Sequence, residues 1–175
     1  MTTRAPLPAG VQWEQRVGDL QRAGTWQLDG RAAVAFQGQG WQATLNWRQH
    51  DGTSDIHLAG PFGAGAISLE RTPAGLSLNG APPSDTALSQ LQERLGFELP
   101  IDHLRFWLLG VPDPAAAFAL TRNAGDRALK LIQGGWTIDY DRYMPVGGDA
   151  LPAHLSLSGE GVRVRIAVDR WEPPR

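Results

Sequence analysis

The fold turns on residues 25–49, where TWQLDGRAAVAF (Thr25–Phe36) is followed closely by GWQATLNWRQ (Gly40–Gln49). In the first stretch Trp26, Leu28, Ala32, Val34 and Phe36 share one face, and Gln27, Asp29 and Arg31 take the other. In the second, Trp41, Ala43, Leu45 and Trp47 alternate with Gln42, Thr44, Asn46 and Arg48. Successive side chains of a strand point to opposite faces, so a sustained period of two marks a half-buried strand. Gly38 and Gly40 between the two runs lack the strand-to-helix setting of a phosphate loop and read as a hairpin turn. Two such strands in succession start an antiparallel meander with one wet face.

The same period recurs further along the chain. DIHL (Ile56, Leu58), AISLE (Ile67, Leu69) and GLSLNG (Leu76, Leu78) add short strands. Towards the C-terminus RALKLIQ, WTIDYDRYM, AHLSLSG and VRVRIAVDRW alternate as well, the last with Val162, Val164, Ile166 and Val168 inward. About nine or ten strands result, and so many meandering strands usually hide their edges by closing, or nearly closing, into a barrel. Helical spacing appears twice. Val11, Trp13, Val17 and Leu20 predict a short amphipathic helix over Val11–Arg22, after a lead-in at residues 1–10. Midway, Leu88, Leu91 and Leu95 form a stripe in PPSDTALSQLQERLG, with Ser84 or Asp85 as N-cap and Gly96 as stop. LPIDHLRFWLLGVPDP predicts a second, apolar helix capped by Asp102 and stopped by Gly110 and Pro112. AAAFALTRN fits helix or strand. The expectation is one mainly β domain, α+β by content, over residues 11–175.

Composition narrows the function classes. With 16 basic and 18 acidic residues the net charge is −2, which argues against nucleic acid as a partner. The chain has no cysteine, which removes disulfides, thiolate metal sites and a cysteine nucleophile. His50, His57, His103 and His154 show no metal-ligand spacing. No G-x-S-x-G elbow is present. Asp139 and Asp141 share one strand face and could in principle form a carboxylate pair, though that face is most simply the solvated one. Arg105, among Leu104, Phe106 and Trp107, reads as an ion-pairing or helix-end residue. These observations point away from an enzyme, and no cofactor or metal is expected. The inward set Trp26, Phe36, Trp41, Trp47, Trp136, Ile138 and Tyr140 suits either an aliphatic ligand or a packed core.

Taken in order, Gly30–Arg31, Trp47, Gly60–Gly63 (GPFG), the LP-x-x-x-LR-x-W-x-x-G-x-P run from Leu99 to Pro112, Gln133-x-Gly-Trp136, Leu151–Pro152 and Asp169-x-Trp171 resemble the LolB family. The LPIDHLRFWLLGVP segment is the most specific part, and the likeness runs from about Trp13 to Trp171. The resemblance implies an incomplete antiparallel β-barrel of about eleven strands, with helices covering an apolar cavity. It implies a monomer that accepts acylated lipoproteins from the periplasmic carrier LolA. The acyl chains are then released into the inner leaflet of the outer membrane, from its periplasmic face, without nucleotide or metal. The alternative is a soluble LolA-like carrier or an apolar small-molecule-binding barrel. Leu58, Ile67 and Ile166 join the inward aromatics as expected cavity residues, with Leu88, Leu91, Leu95, Leu104, Trp107 and Leu108 from the helices over the mouth. Members of the family are anchored by an acylated N-terminal cysteine; the expectation is that this chain represents a form without signal peptide and acylated cysteine.

The resemblance gives a role to GPFGAG (Gly60–Gly65), which places Phe62 between Pro61 and Gly63 in a turn-forming stretch. The implied role is a loop whose apolar tip, Phe62, dips into lipid during delivery.

Overall fold

A computed structural model of the chain describes residues 13–60 and 65–175. The lead-in, Val11 of the first helix, and Pro61, Phe62 and Gly63 lie outside these residues. The chain forms α1 (Trp13–Arg22), β1 (Thr25–Phe36), β2 (Gln39–His50), β3 (Thr53–Ala59), β4 (Ile67–Thr72) and β5 (Gly75–Leu78). Then come α2 (Ala87–Leu95), α3 (Ile101–Trp107), β6 (Phe118–Arg122), β7 (Ala128–Gln133), β8 (Trp136–Val146), β9 (Asp149–Gly159) and β10 (Val162–Glu172).

The described residues form ten strands in a single sheet, in the order β5-β4-β3-β2-β1-β10-β9-β8-β7-β6. Every neighbouring pair except β1–β10 is consecutive in the chain. Several hairpins are set by tight two-residue turns with positive φ at both positions: Gln37–Gly38 (50° and 74°), Gly134–Gly135 (60° and 81°) and Glu160–Gly161 (52° and 75°). Such turns match the right-handed twist of the flanking strands. The sheet is open, with β5 and β6 as its edges. These two are successive in the chain but separated by both central helices, whose insertion takes the place of a closing strand pair.

The join between β1 and β10 brings the two halves together. A bulge between Asp29 and Gly30 shifts its register. At Gly30 a Cβ would stand 2.4 Å from the carbonyl oxygen of Ala167, so only glycine permits this approach. Arg31 beside it pairs with Asp169 at 3.2 Å. Inward residues of both halves form one core with the three helices, including the stacked Trp26 and Trp47 (5.9 Å) and Trp171 set edge-on to Trp26 (5.5 Å).

Some helix details differ from expectation. Thr86, not Ser84 or Asp85, is the N-cap of α2; the Ser84 hydroxyl instead accepts from the Thr86 N–H at 3.1 Å. Gly96 ends α2 in the left-handed conformation, as glycine's missing Cβ allows. Asp102 does not cap α3, which begins after Pro100; its carboxylate reaches across to Arg71 instead. The ambiguous AAAFALTRN contains strand β6.

Helix α1 is tied down through an arginine. Arg16 is buried on it, and its Nε meets Asp149 at the start of β9 at 2.9 Å, while Nη2 donates to the Ala150 carbonyl at 2.8 Å. Arg127, also buried, reaches the same carboxylate at 3.1 Å.

Candidate apolar binding site

The concave face of the sheet and the helical segment enclose a cavity of about 50 Å³, lined entirely by apolar residues. Strands supply Trp41, Trp47, Leu58, Trp136 and Ile166; α2 and α3 with their flanks supply Leu95, Leu104 and Leu108. All eight were expected from the sequence. Leu45, Ile56, Phe97, Leu99, Pro100, Leu157 and Val164 also line it. Leu45 and Val164 belong to legible alternations, whereas Phe97, Leu99 and Pro100 lie in the non-periodic link between the helices. Nothing in their spacing marks them.

The other expected residues lie elsewhere. Trp26 lies behind the wall, stacked on Trp47 and edge-on to Trp171. Ile67, Leu91 and Ile138 are buried away from the cavity wall, and Phe36 is half-buried with its ring against Gly96. Leu88 is a correction: it is 41% exposed and lines a neighbouring open chamber rather than this cavity, because the buried stripe of α2 runs through Ala87, Leu91 and Leu95. Trp107 and Tyr140 are buried structural residues, joined where the Tyr140 hydroxyl donates to the Trp107 carbonyl at 2.7 Å. Burial raises the Tyr140 phenol well above its ordinary pKa, with Tyr143 adding to the effect, so its proton remains available for this bond.

Gln133 holds the helical cover to the sheet. Its buried Oε1 accepts from Trp107 Nε1 at 2.8 Å and from the Asp113 N–H at 2.9 Å. Its Nε2 donates to the carbonyls of Asp113 (2.8 Å) and Ala116 (3.0 Å). A hydrocarbon of similar size would strand these buried partners. Gln133→Leu is expected to lower the unfolding free energy by about 2–3 kcal/mol, read from the urea midpoint. A loss below about 1 kcal/mol would show that the partners find substitutes.

Asp139 lies 3.6 Å from Lys130. Asp141, past which the register of β8 and β9 shifts, meets His154 Nδ1 at 3.0 Å. The Ser156 hydroxyl also turns to Asp141, at 3.5 Å, rather than to the histidine. A serine activated by histidine requires the hydroxyl on the imidazole, so this trio is no nucleophilic relay. Arg105 stacks over Phe106, 4.5 Å from the ring centre. Among the described residues no three His, Asp or Glu side chains gather as a metal set, and no helix is long and apolar enough to cross a membrane.

Residues 24–171 match the family described as Outer membrane lipoprotein LolB. The outer-membrane lipoprotein LolB of Pseudomonas aeruginosa (strain LESB58) is 34% identical over 165 residues, covering 92% of this chain and 80% of that protein. The chain belongs to the LolB family. The LolB protein of Ectopseudomonas mendocina (strain ymp) is 31% identical over 167 residues, covering 93% of this chain and 82% of that one. Among solved structures, the LolA superfamily protein NE2245 from Nitrosomonas europaea shares the fold, with a TM-score of 0.61 over 95% of each chain at 10% identity.

In this LolB-family chain the scattered motif residues form connected contacts. Gln133 bonds Trp107 of the LR-x-W run, Trp171 Nε1 donates to the Pro152 carbonyl at 2.9 Å, and Gly110 lies against Pro152.

Proposed function

We propose that this protein accepts acylated lipoproteins from LolA, holds their acyl chains in the cavity under α2 and α3, and releases them into the inner leaflet of the outer membrane. It works there as a lipid-anchored monomer on the periplasmic face and performs no covalent chemistry. The observation that carries the reading is a wholly apolar cavity, roofed by helices, in a chain of the LolB family.

The cavity's size bears on how it loads. An apolar cavity of about 150 Å³ takes up a benzene molecule. At about 50 Å³ this one is too small for a long acyl chain, so α2 and the start of α3 must swing away during loading. The end of α3 is fixed by the Trp107 bonds to Gln133 and Tyr140. The other end is held by apolar contacts and by the Arg71–Asp102 pair, whose side chains are 40% and 67% exposed. Such an exposed pair is worth less than about 1 kcal/mol, so the hinge lies at the Trp107 end.

Direction comes from solvation. Each buried CH₂ contributes roughly 0.8 kcal/mol, so free acyl chains in the periplasm are strongly disfavoured. A cavity without polar anchors holds them less well than a bilayer does, and transfer to the membrane runs downhill without ATP.

The test is a transfer reaction: LolA loaded with labelled lipoprotein, then this protein, then outer-membrane vesicles. Label is expected to move to this protein and on to the vesicles. Label remaining on LolA would overturn the reading; label retained by this protein would favour the soluble-carrier alternative.

A further inference from the structure

A second, more open chamber of about 290 Å³ lies beside the apolar cavity, sharing Leu99, Pro100 and Trp136 in its wall. It lies at the gap in the sheet, between Arg71 of β4 and Gly134 of the β7–β8 turn, where a chain entering the cavity would leave its polar end. Half of its wall is apolar, with Leu76, Leu88 and Ile101 joining the shared residues, and its polar side chains are one-sided.

The chamber's one arginine, Arg71, is already engaged: Nε and Nη2 donate to the Asp102 carboxylate at 3.1 Å each. Glu98 and Glu160 also line the chamber and have no ion-pair partner within the described residues. His103 completes the wall. Its Nδ1 is 2.8 Å from the carboxylate of buried Asp113, and since a carboxylate accepts, Nδ1 carries the proton. In the neutral ring Nε2 is then an acceptor. The imidazole is held flat on Trp107, with centroids 5.2 Å apart and planes 17° apart. Glycine at 134 leaves the Nε2 edge uncovered, since a Cβ there would come within 3.1 Å of it.

With the His103 ring neutral, the groups free to meet a ligand are hydrogen-bond acceptors, two of them exposed carboxylates carrying negative charge. A phosphate or carboxylate head would bring like charge and more acceptors. An uncharged head with an N–H would find a partner. We propose that this chamber selects cargo by headgroup, admitting amide-bearing, uncharged acylated ends and rejecting anionic amphiphiles such as phospholipids and free fatty acids. His103 reads the N–H, and Glu98 and Glu160 repel the anion. The proposal rests on the acyl-binding reading above. It explains how an apolar cavity working beside a membrane escapes filling with membrane lipid.

The experiment is displacement of a fluorescent alkyl probe from the full chain by N-dodecylacetamide, dodecyl acetate and dodecyl phosphate. The amide is expected to bind about three- to tenfold more tightly than the ester, the worth of one hydrogen bond. The phosphate is expected to bind about tenfold more weakly than the ester and to gain with added salt, as screened repulsion requires. E98Q/E160Q should raise phosphate affinity towards the ester's, and His103→Phe, which keeps the stacked ring, should bring the amide down to the ester's level. Equal affinity for all three ligands in the wild type, or an unchanged phosphate penalty in E98Q/E160Q, overturns the proposal alone. Binding of none of them overturns the acyl-binding reading as well.

Discussion

Asp149→Ala is expected to destabilise the protein by about 3–5 kcal/mol, the usual cost of removing one partner from buried charges. The carboxylate receives Arg16 Nε at 2.9 Å and 3.1 Å and Arg127 Nη2 at 3.1 Å, and these arginine side chains are only 2% and 3% exposed. Without it, two guanidinium groups sit in the interior with their shared counter-charge gone, and α1 loses its tie to β9. Dependence on pH separates the charge from the packing. Burial alone would raise the Asp149 pKa, but the Ala150 N–H, Arg16 and Arg127 outweigh it and hold it below the ordinary value of 3.8. A carboxyl depressed on folding contributes its full stability above the unfolded value and loses it as pH falls through the folded one. The gap between wild type and variant in urea unfolding should therefore be widest near neutral pH and shrink below about pH 4. A gap of equal size at both ends of that range would show that the charge contributes little.

Phe62→Glu is expected to cut delivery of lipoprotein into vesicles by about thirty- to a hundredfold, with transfer from LolA to this protein retained. The estimate comes from about 2–3 kcal/mol between an aromatic ring and a carboxylate in a lipid environment. Phe62 lies in the stretch joining β3 and β4, within GPFGAG, and outside the described residues. Phe62 is a large apolar residue flanked by glycine and proline, in a protein whose relatives are outer-membrane lipoproteins. One ring gives weak and reversible lipid contact, which suits repeated delivery. Phe62→Leu should deliver nearly as well as the wild type, because character rather than shape is what lipid reads. Undiminished delivery by Phe62→Glu would leave the stretch as a turn and nothing more.

The hairpins were legible because their signals are local. Alternation in Thr25–Phe36 and Gly40–Gln49 assigned the faces of β1 and β2, and Gly38 and Gly40 marked the turn between them. Nothing in the spacing marked Arg16, whose carboxylate partner lies 133 residues away in the chain. Gln133 gave a motif match but no role, because its partners lie in a separate segment. Among the inward residues, Trp26 and Trp41 have the same period and character. They differ only in position along their strands, which decides whether a side chain meets other core rings or the space under α3.

The sequence by itself determined nine of the strands, their inward faces and the helical interruption, since these follow from side-chain period and turn chemistry within a few residues; the strand in AAAFALTRN stayed open between helix and strand. Tertiary structure decided that β10 joins β1, that the sheet stays open at β5 and β6, and that the helices roof an apolar cavity beside a partly polar chamber. Those outcomes depend on contacts between distant segments. Registers such as Gly30 with Val168 are set by close backbone approach and burial in three dimensions, which no local spacing encodes.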